Sequence, residues 1–341
     1  MSRNNFGIDL GTYDIKIYDA KSDTIKKVKN AIAVENKEYV FAVGDRAYEM
    51  YEKSPENILV TFPMEGGVIS NFDMMQYLLQ ELLLGDRRGM ITGANYLLAV
   101  PTDVTKLEKR AFFDLVVNSE AKARDVKIVE RAVADAVGIG LDVFSPKGIY
   151  IINIGGATTE YSVISSGGIV INRMAKMGGR SFDQAIATYV RKEYGFRVGV
   201  FASEQLKNTL GSAYGVDETS MLIPGSSVIS GLPGQVQVTS HEVYTSIKPT
   251  IDSIVANAVT MLERVPPEMA YNVRKEGLYL TGGVANLRNI GKLLEMSLGI
   301  PVHTVKEPEF SVINGIRAIM SQSGFESVVY PMLDTKFRWM Q

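Results

Sequence analysis

Phe6-Gly-Ile-Asp-Leu-Gly-Thr12 is an apolar run that ends in a turn of small and polar residues. Two later segments have the same form, Ile151-Ile-Asn-Ile-Gly-Gly-Ala-Thr-Thr-Glu160 and Leu278-Tyr-Leu-Thr-Gly-Gly283. Apolar runs of this length predict buried strands, and their Gly/Thr ends predict tight turns. Convergent backbone N–H groups in such turns can bind an anion. The segments therefore predict a site for a phosphorylated ligand, and the last Gly-Gly turn would let a flat base approach the backbone.

Length and composition predict a soluble globular protein of two domains. The chain has 341 residues, which exceeds one average domain, and its hydrophobic content of 46% is ordinary. The formal net charge of −2 does not indicate the basic surface that nucleic-acid binding requires, so we expect no nucleic-acid partner. The chain has no cysteine, and it has only two histidines, which makes a histidine-based zinc site or a Ser-His-Asp triad improbable. The start of the sequence leaves no room for a signal peptide, and no apolar run approaches the roughly 18 residues of a spanning helix, so we expect a cytoplasmic protein.

The order of predicted elements indicates a weak internal repeat. A strand–strand–strand–helix pattern surrounds both the first and the second turn, which predicts two similar α/β domains that face each other across a cleft. Helical periodicity covers residues 105–119 and 242–265, and Pro249 would kink the second of these helices or mark its start. Ser203 is the expected N-cap of another helix.

The ordered set of motifs resembles the actin, DnaK-chaperone and sugar-kinase superfamily, and within it the bacterial actin MreB family. The superfamily resemblance is carried by the three turn motifs, and the ordered matches run from about Phe6 to Gly315. The segments that narrow it to MreB are Pro-Met-Glu-Gly-Gly-Val-Ile at 63–69 with Phe72-Asp73, Val-Pro-Thr-Asp-Val-Thr-Lys-Leu-Glu-Lys-Arg-Ala at 100–111, Gly-Gly-Arg-Ser-Phe-Asp at 178–183, Gly-Ser-Ala at 211–213 and Gly-Leu-Pro at 231–233.

This resemblance implies a particular fold and domain division. The expected fold class is α/β, an actin-like ATPase fold with two related domains, each a mixed five-stranded sheet with flanking helices, around a nucleotide cleft. Domain I is expected at 1–140 with a small subdomain at about 30–72, and domain II at 141–341 with a small subdomain at about 181–242. The C-terminal helix is expected to pack back on domain I.

The motifs also imply a set of nucleotide-binding residues. Asp9 would hold Mg²⁺ through water, since hard oxygen ligands suit this ion. Gly11 and Thr12 would offer N–H groups and a hydroxyl to phosphate, and Lys16 would neutralise phosphate charge; a capping Asp and an exposed Lys are the alternative. The full predicted set is Asp9, Gly11, Thr12, Tyr13, Lys16, Gly155, Gly156, Ala157, Thr158, Gln205, Lys207, Asn208, Gly282, Gly283 and Val284. Gln205, Lys207 and Asn208 would contact ribose and base, or would only form a solvated helix face.

Several positions depart from the family pattern where hydrolysis is expected. Asn153 replaces an Asp, which lowers the expected metal affinity because ligand charge tunes it. Arg131 stands where the family has the Glu that is thought to orient the attacking water, and Arg stays protonated. Arg131 would pair with phosphate instead, or would be a surface residue. Ala157 and Val284 each replace a Gly. The catalytic candidates, a weakened hydrolysis site, are Glu130, Arg131, Asn153 and Thr159.

The expected function is that of a cytoskeletal protein that binds ATP or ADP with Mg²⁺, hydrolyses ATP slowly and assembles with itself into paired filaments that determine cell shape. A hydrolysis-deficient filament partner of other MreB-type subunits is the main alternative. A small-molecule kinase lacks a matching catalytic segment, and a chaperone-like ATPase would need a further domain.

The resemblance also implies contact with membrane surface lipids at the inner face of the cell membrane. Met90 and Ile91 are the predicted membrane loop, beside two arginines that would meet anionic lipid. The tail Lys336-Phe-Arg-Trp-Met340 has the composition of an alternative interfacial anchor.

Overall fold

Each of the three quoted apolar runs forms a central strand of a mixed β-sheet. The structure is a computed structural model that describes residues 4–85, 93–120 and 123–331. The chain divides into two units. Unit 1 contains the described residues up to Pro146, the segment Ile164–Asn172 and the described residues from Phe310 onward, and unit 2 contains Lys147–Val163 and Arg173–Glu309.

The main sheet of unit 1 has six strands. They are β1 (Asn5–Leu10), β2 (Asp14–Asp19), β3 (Thr24–Lys29), β9 (Ala94–Val100), β10 (Ala123–Glu130) and β19 (Val329–Pro331), in the spatial order β19-β10-β9-β1-β2-β3. β1 pairs parallel with β9 and antiparallel with β2, so the sheet is mixed as predicted. The prediction of five strands did not include β19, which pairs antiparallel with β10 at the edge.

The remaining elements of unit 1 before Pro146 cover this sheet or form smaller sheets. They are β4 (Ile32–Glu35), β5 (Tyr39–Val43), α1 (Asp45–Glu49), β6 (Ile58–Thr61), β7 (Met64–Glu65), β8 (Val68–Ile69), α2 (Phe72–Leu84), α3 (Lys106–Val117) and α4 (Arg131–Gly138). Strands β5, β4 and β6 form a three-stranded sheet. Helix α3 begins with the capping box of Thr105 and Glu108, and its buried Phe112 and Leu115 join the core over β1, β9 and β10.

Helices α4 and α10 (Ser311–Ser321) of unit 1 pack with their backbones in contact. A Cβ atom added to Gly138 would lie 1.8 Å from the Ser311 carbonyl oxygen. One added to Gly315 would lie 1.7 Å from the Ala134 carbonyl oxygen. Only glycine fits at either position, and α10 in turn lies against β1, β2 and β9.

Unit 2 carries the second and third predicted turns on one five-stranded sheet. Its strands are β11 (Ile149–Ile154), β12 (Thr159–Ser165), β13 (Gly168–Ala175), β17 (Leu278–Thr281) and β18 (Val302–Thr304), in the order β13-β12-β11-β17-β18. Residues 164–172, the tip of the β12–β13 hairpin, belong to unit 1. β11 pairs parallel with β17, which places Asn153 opposite Thr281.

The other elements of unit 2 surround this sheet or form a small sheet of three strands. They are α5 (Gly179–Tyr194), β14 (Phe196–Arg197), α6 (Val200–Leu210), β15 (Ser220–Ser227), β16 (Pro233–Thr239), α7 (Ser240–Glu263), α8 (Pro267–Glu276) and α9 (Ile290–Leu298). Helix α7 starts at a capping box of Thr239 and Glu242 and runs on through Pro249, which therefore does not mark its start. Helix α6 begins three residues before Ser203, so the predicted N-cap is wrong; the Ser203 hydroxyl donates to the Gly199 carbonyl instead.

In the part of the chain that the structure describes, no helix is both long and apolar enough to cross a membrane. The predicted membrane loop, Met90 and Ile91, and the tail from Lys336 to Met340 lie outside the described residues.

Candidate functional site

The first turn is held in shape by Asn30, a residue that the sequence did not single out. The Gly11 N–H donates to the Asp14 carbonyl at 3.1 Å and closes the turn. The fully buried Asn30 donates its side-chain amide to the Gly11 carbonyl and its backbone N–H to the Tyr13 carbonyl, both at 2.9 Å. Because C=O and N–H point in opposite directions across a trans peptide, the Thr12 N–H points away from Asn30. The Gly11 amide is thus used within the turn, and Thr12 is the amide presented outward.

Asp9 at the end of β1 lies between two cations. Its Oδ2 is 3.1 Å from Lys16 Nζ, because the two residues are paired directly across β1 and β2. Its Oδ1 is 3.7 Å from Arg131 Nε, and Arg131 also donates to the Leu10 carbonyl at 3.0 Å. All three charged side chains are less than 10% exposed. Arg131 is therefore not the surface residue of the alternative interpretation but a buried cation at the first turn.

This arrangement does not suit Mg²⁺ bound directly to Asp9. Such an ion would have to displace the Lys16 ammonium and approach the Arg131 guanidinium. The predicted contact of Asp9 with Mg²⁺, which is through water, stays a prediction.

Glu130 does not compensate for the missing carboxylate at position 131. Its Oε1 accepts from Lys109 Nζ at 2.7 Å and from the Tyr330 hydroxyl at 2.5 Å. Burial, and then this carboxylate, raise the pKa of the Tyr330 hydroxyl, which therefore stays protonated and continues to donate. Oε1 is thus fixed by two donors within unit 1, and Oε2 is buried, so neither oxygen is open to an attacking water.

The second turn, at Gly155–Thr158, is organised by the start of helix α5. The Gly155 N–H donates to the Thr158 carbonyl at 2.8 Å, which closes the turn. The Gly155 carbonyl accepts from the Gly179 N–H at 3.0 Å, and the Gly156 carbonyl accepts from the Arg180 N–H at 2.7 Å. The amides of Gly156 and Ala157 must then point away from α5, since each lies trans to one of these carbonyls. Two adjacent N–H groups aimed the same way form a cradle for an anion.

Gly178 makes this contact possible. A Cβ on Gly178 would lie 2.4 Å from the Gly155 carbonyl oxygen and 3.0 Å from the Ala157 nitrogen. Any side chain would therefore push the helix away from the turn. The Gly178-Gly179 pair belongs to a segment that the resemblance includes, but its role in supporting the turn depends on a contact across more than twenty residues.

Asn153 and Thr159, the two catalytic candidates of unit 2, lie at either end of the second turn. The Thr159 hydroxyl is fully buried and donates to the Met177 carbonyl at 2.8 Å, so it fixes the segment before α5. A Cβ on Gly282 would lie 2.7 Å from Asn153 Oδ1 and 2.4 Å from the Ile154 carbonyl oxygen. The absence of a side chain at Gly282, whose φ is +82°, thus lets the second and third turns meet.

The remaining candidates of unit 2 separate into buried and exposed groups. Val284 is buried. A Cβ atom added to Gly179 would lie 3.4 Å from a methyl group of Val284 and 3.5 Å from Lys207 Nζ. Lys207 and Val284 therefore lie beside the start of α5, next to the second turn. Gln205, Asn208 and Gly283 are exposed.

Lys207 forms an ion pair with Asp183 that the sequence did not predict. Its Nζ is 2.7 Å from Asp183 Oδ1, and both side chains are largely buried. Burial raises the pKa of Asp183 to about 6, although Lys207 works against this shift. Since Asp183 follows Gly178 by five residues, the pair ties α6 to the first turns of α5 and so to the second turn.

Asp183 is expected to make the folded state less stable as pH rises. Its folded pKa of about 6 exceeds the ordinary value of 3.8, so between these pH values the folded state binds more protons than the unfolded state. The free energy of unfolding then falls as pH rises from 4 to 6, by about 2–3 kcal/mol for a shift of this size. We expect Asp183→Asn to remove this component in guanidinium unfolding measured from pH 4 to 7. Parallel pH profiles for the two proteins would contradict the assignment.

The fold and these turns define an actin-like protein. The chain superposes on MreB5 of Spiroplasma citri bound to AMPPNP with a TM-score of 0.88 and 32% identity, covering 94% of this chain and 96% of that one. The ADP-bound MreB5 structure gives a TM-score of 0.87. A MamK double helical filament gives 0.79 at 16% identity, which supports the fold alone.

The sequence comparisons identify the family. The profile of the MreB/Mbl protein family matches residues 3–326. The cell shape-determining protein MreB of Escherichia coli K12 is 34% identical over 323 residues, which are 92% of each chain. Mbl of Bacillus subtilis is 31% identical over 90% of this chain and 93% of its own. The chain belongs to the MreB/Mbl family, as the resemblance indicated.

Proposed function

We propose that this chain is a cytoskeletal protein that binds ATP or ADP through its Gly-rich turns and polymerises into filaments that determine cell shape. Support comes from the family membership, from the nucleotides in the two MreB5 structures and from the cell-shape role in the names of the MreB and Mbl relatives. The observation that carries the proposal is the aligned pair of amides at Gly156 and Ala157, which the start of α5 directs outward.

Each element of the proposed site has its own task. The amides of Thr12, Gly156 and Ala157 bind phosphate oxygens, and the cations Lys16 and Arg131 neutralise phosphate charge. Val284 and the exposed Gly283 line the position of the base, and Lys207 with Gln205 and Asn208 lies on the helix that would contact ribose.

Cleavage of ATP is expected to be slow. An attacking water needs a general base, but Arg131 is a cation, Glu130 is held by Lys109 and Tyr330, and Asn153 carries no charge. The Thr159 hydroxyl is already engaged with a backbone carbonyl. This geometry favours nucleotide binding over hydrolysis, and it gives weight to the alternative of a hydrolysis-deficient partner for other MreB-type subunits.

Filament formation would use head-to-tail heterologous contacts, which do not close and therefore propagate. Paired filaments, a cytoplasmic location and binding to lipids at the inner membrane surface complete the proposal. Two apolar residues such as Met90 and Ile91 would bind membrane weakly, so attachment would require many subunits of one filament.

ATP is expected to drive the purified protein into the pellet in a sedimentation assay. Gly178→Ala should abolish this ATP-dependent fraction, because the new Cβ separates α5 from the second turn. Gly168→Ala is the matched control, since its Cβ would meet only one atom within 4 Å, at 3.9 Å.

A wild-type protein that stays in the supernatant under every nucleotide condition and concentration would argue against a filament. If it nevertheless bound ATP, the small-molecule kinase would become the better proposal.

A further inference from the structure

Tyr13, the residue directly after Thr12, connects the first turn to helix α1. Its hydroxyl lies 3.1 Å from the Tyr48 hydroxyl, and the two rings pack edge to face with centroids 5.7 Å apart. Tyr48 is buried in α1, whereas Tyr13 is half-buried at the turn. A hydrogen bond between two side chains that are 35 residues apart therefore joins the proposed phosphate-binding turn to a separate element.

Lys29 reinforces this connection. Its Nζ lies 3.7 Å from the centroid of the Tyr13 ring and 5.3 Å from that of the Tyr48 ring, which is a cation–π arrangement. The same ammonium pairs with Asp14 Oδ1 at 3.0 Å, and the Asp14 carbonyl is the acceptor that closes the turn. The Lys29 backbone N–H donates to Asp45, the first residue of α1, at 3.0 Å. Lys29 thus contacts both the turn and α1.

Helix α1 in turn belongs to the small sheet β5-β4-β6. It packs against β4 and β5. The Tyr48 ring lies edge-on to Phe62, the residue directly after β6, with centroids 6.3 Å apart, and Phe62 also contacts the Tyr51 ring at 5.0 Å. Contacts therefore lead without a break from Tyr13 through Tyr48 to the end of β6. Packed side chains do not deform continuously, so a change in the turn would have to be accommodated by α1 and the small sheet.

We propose that Tyr48 is a positioning residue for the nucleotide. Through Tyr13 it holds the first turn in the shape that binds phosphate, and bound nucleotide in turn stabilises α1 and the small sheet. The effect is reciprocal because a coupling free energy between two sites acts equally in both directions. The inference rests on the proposed nucleotide binding and adds to that site a residue outside the Gly-rich turns.

Calorimetric titration of the full chain with ATP tests the positioning role in Tyr13→Phe, Tyr48→Phe and the double variant. Each single variant removes the same hydrogen bond and should weaken ATP binding by about twofold to tenfold, the range expected for one such bond. The double variant should bind no more weakly than the single variants, since the bond is already absent in each of them. Two tyrosines that support the fold separately would instead give losses that multiply.

Hydrogen exchange with and without ATP provides a readout that a merely structural role would not change. In the wild type, ATP should slow the exchange of amides in α1 and in β4, β5 and β6. In Tyr48→Phe this slowing should be lost there and retained at the second turn. Tyr18→Phe is the matched control, because the Tyr18 hydroxyl donates to Asp23 at 3.0 Å within the same unit. It should leave the ATP affinity and the exchange pattern unchanged.

The outcomes separate the two proposals. A wild type that does not bind ATP overturns the proposed function, and this inference with it. If the wild type binds ATP and both single variants bind it equally tightly, or if their losses multiply in the double variant, Tyr48 does not position the turn. ATP-dependent protection of α1 that persists in Tyr48→Phe overturns the reciprocal effect on the small sheet and leaves nucleotide binding standing.

Discussion

Gly315→Ala is expected to destabilise unit 1 strongly. The new Cβ would lie 1.7 Å from the Ala134 carbonyl oxygen and 2.6 Å from its carbon, both backbone atoms that cannot rotate away. Helices α4 and α10 would have to separate, and α10 would move off β1, β2 and β9. Overpacking a well-packed core costs about 1–3 kcal/mol, and a clash between two helix backbones belongs at or above the upper end of that range. Thermal unfolding and the soluble yield measure the effect.

Gly168→Ala serves again as the control. Position 168 has an ordinary φ, and the Ser165 carbonyl oxygen, the nearest atom, would be 3.9 Å from the Cβ, so the expected change is within about 0.5 kcal/mol. Gly138→Ala should match Gly315→Ala, because the two glycines face each other across the same contact. A Gly315→Ala protein that melts within a few degrees of the wild type would show that the helices can separate without disturbing the sheet.

The elements of this fold could be predicted because their signals are local. Apolar runs with Gly/Thr ends gave the strands β1, β11 and β17, and Thr105 with Glu108 marks the start of α3 as a capping box does. The start of α6 was missed because Val200 and Phe201 carry no capping signal, whereas Ser203 does. Strand β19 is three residues long and pairs with a strand two hundred residues earlier, so no local pattern could indicate it.

The residues that support the site could not be predicted, because they contact it from distant parts of the sequence and leave no local pattern. Asn30 holds the first turn from the end of a different strand, and Lys109 and Tyr330 reach Glu130 from two distant parts of the chain. The sequence alone indicated that Arg131 cannot act as a base. Only the structure shows that the Arg131 side chain is buried and lies beside the Asp9 carboxylate at the first turn. A sequence motif identifies the groups that would contact a ligand, and the fold determines which of them are already occupied.

Restoring carboxylates at positions 131 and 153 is expected to accelerate phosphate release. Arg131→Glu places a potential base after β10, and Asn153→Asp returns a negative charge to the end of β11, beside the second turn. A positioned general base contributes about 10²–10⁴-fold to a rate, so the double variant should release phosphate from ATP at least about tenfold faster than the wild type. The assay is run in Mg²⁺ at saturating ATP, so that a change in affinity does not enter.

The comparison that isolates the base is Arg131→Gln with Asn153→Asp. This variant removes the same cation and restores the same aspartate, but it offers no proton acceptor at position 131. If orientation of water by a carboxylate limits turnover, it stays close to the wild-type rate while the glutamate variant rises. If both double variants accelerate equally, the wild type is slow because of the cation at position 131, and the missing base is not the cause. A wild type that already matches the glutamate variant would mean that another group of this chain activates water, contrary to the restrained geometry of Glu130 and Thr159.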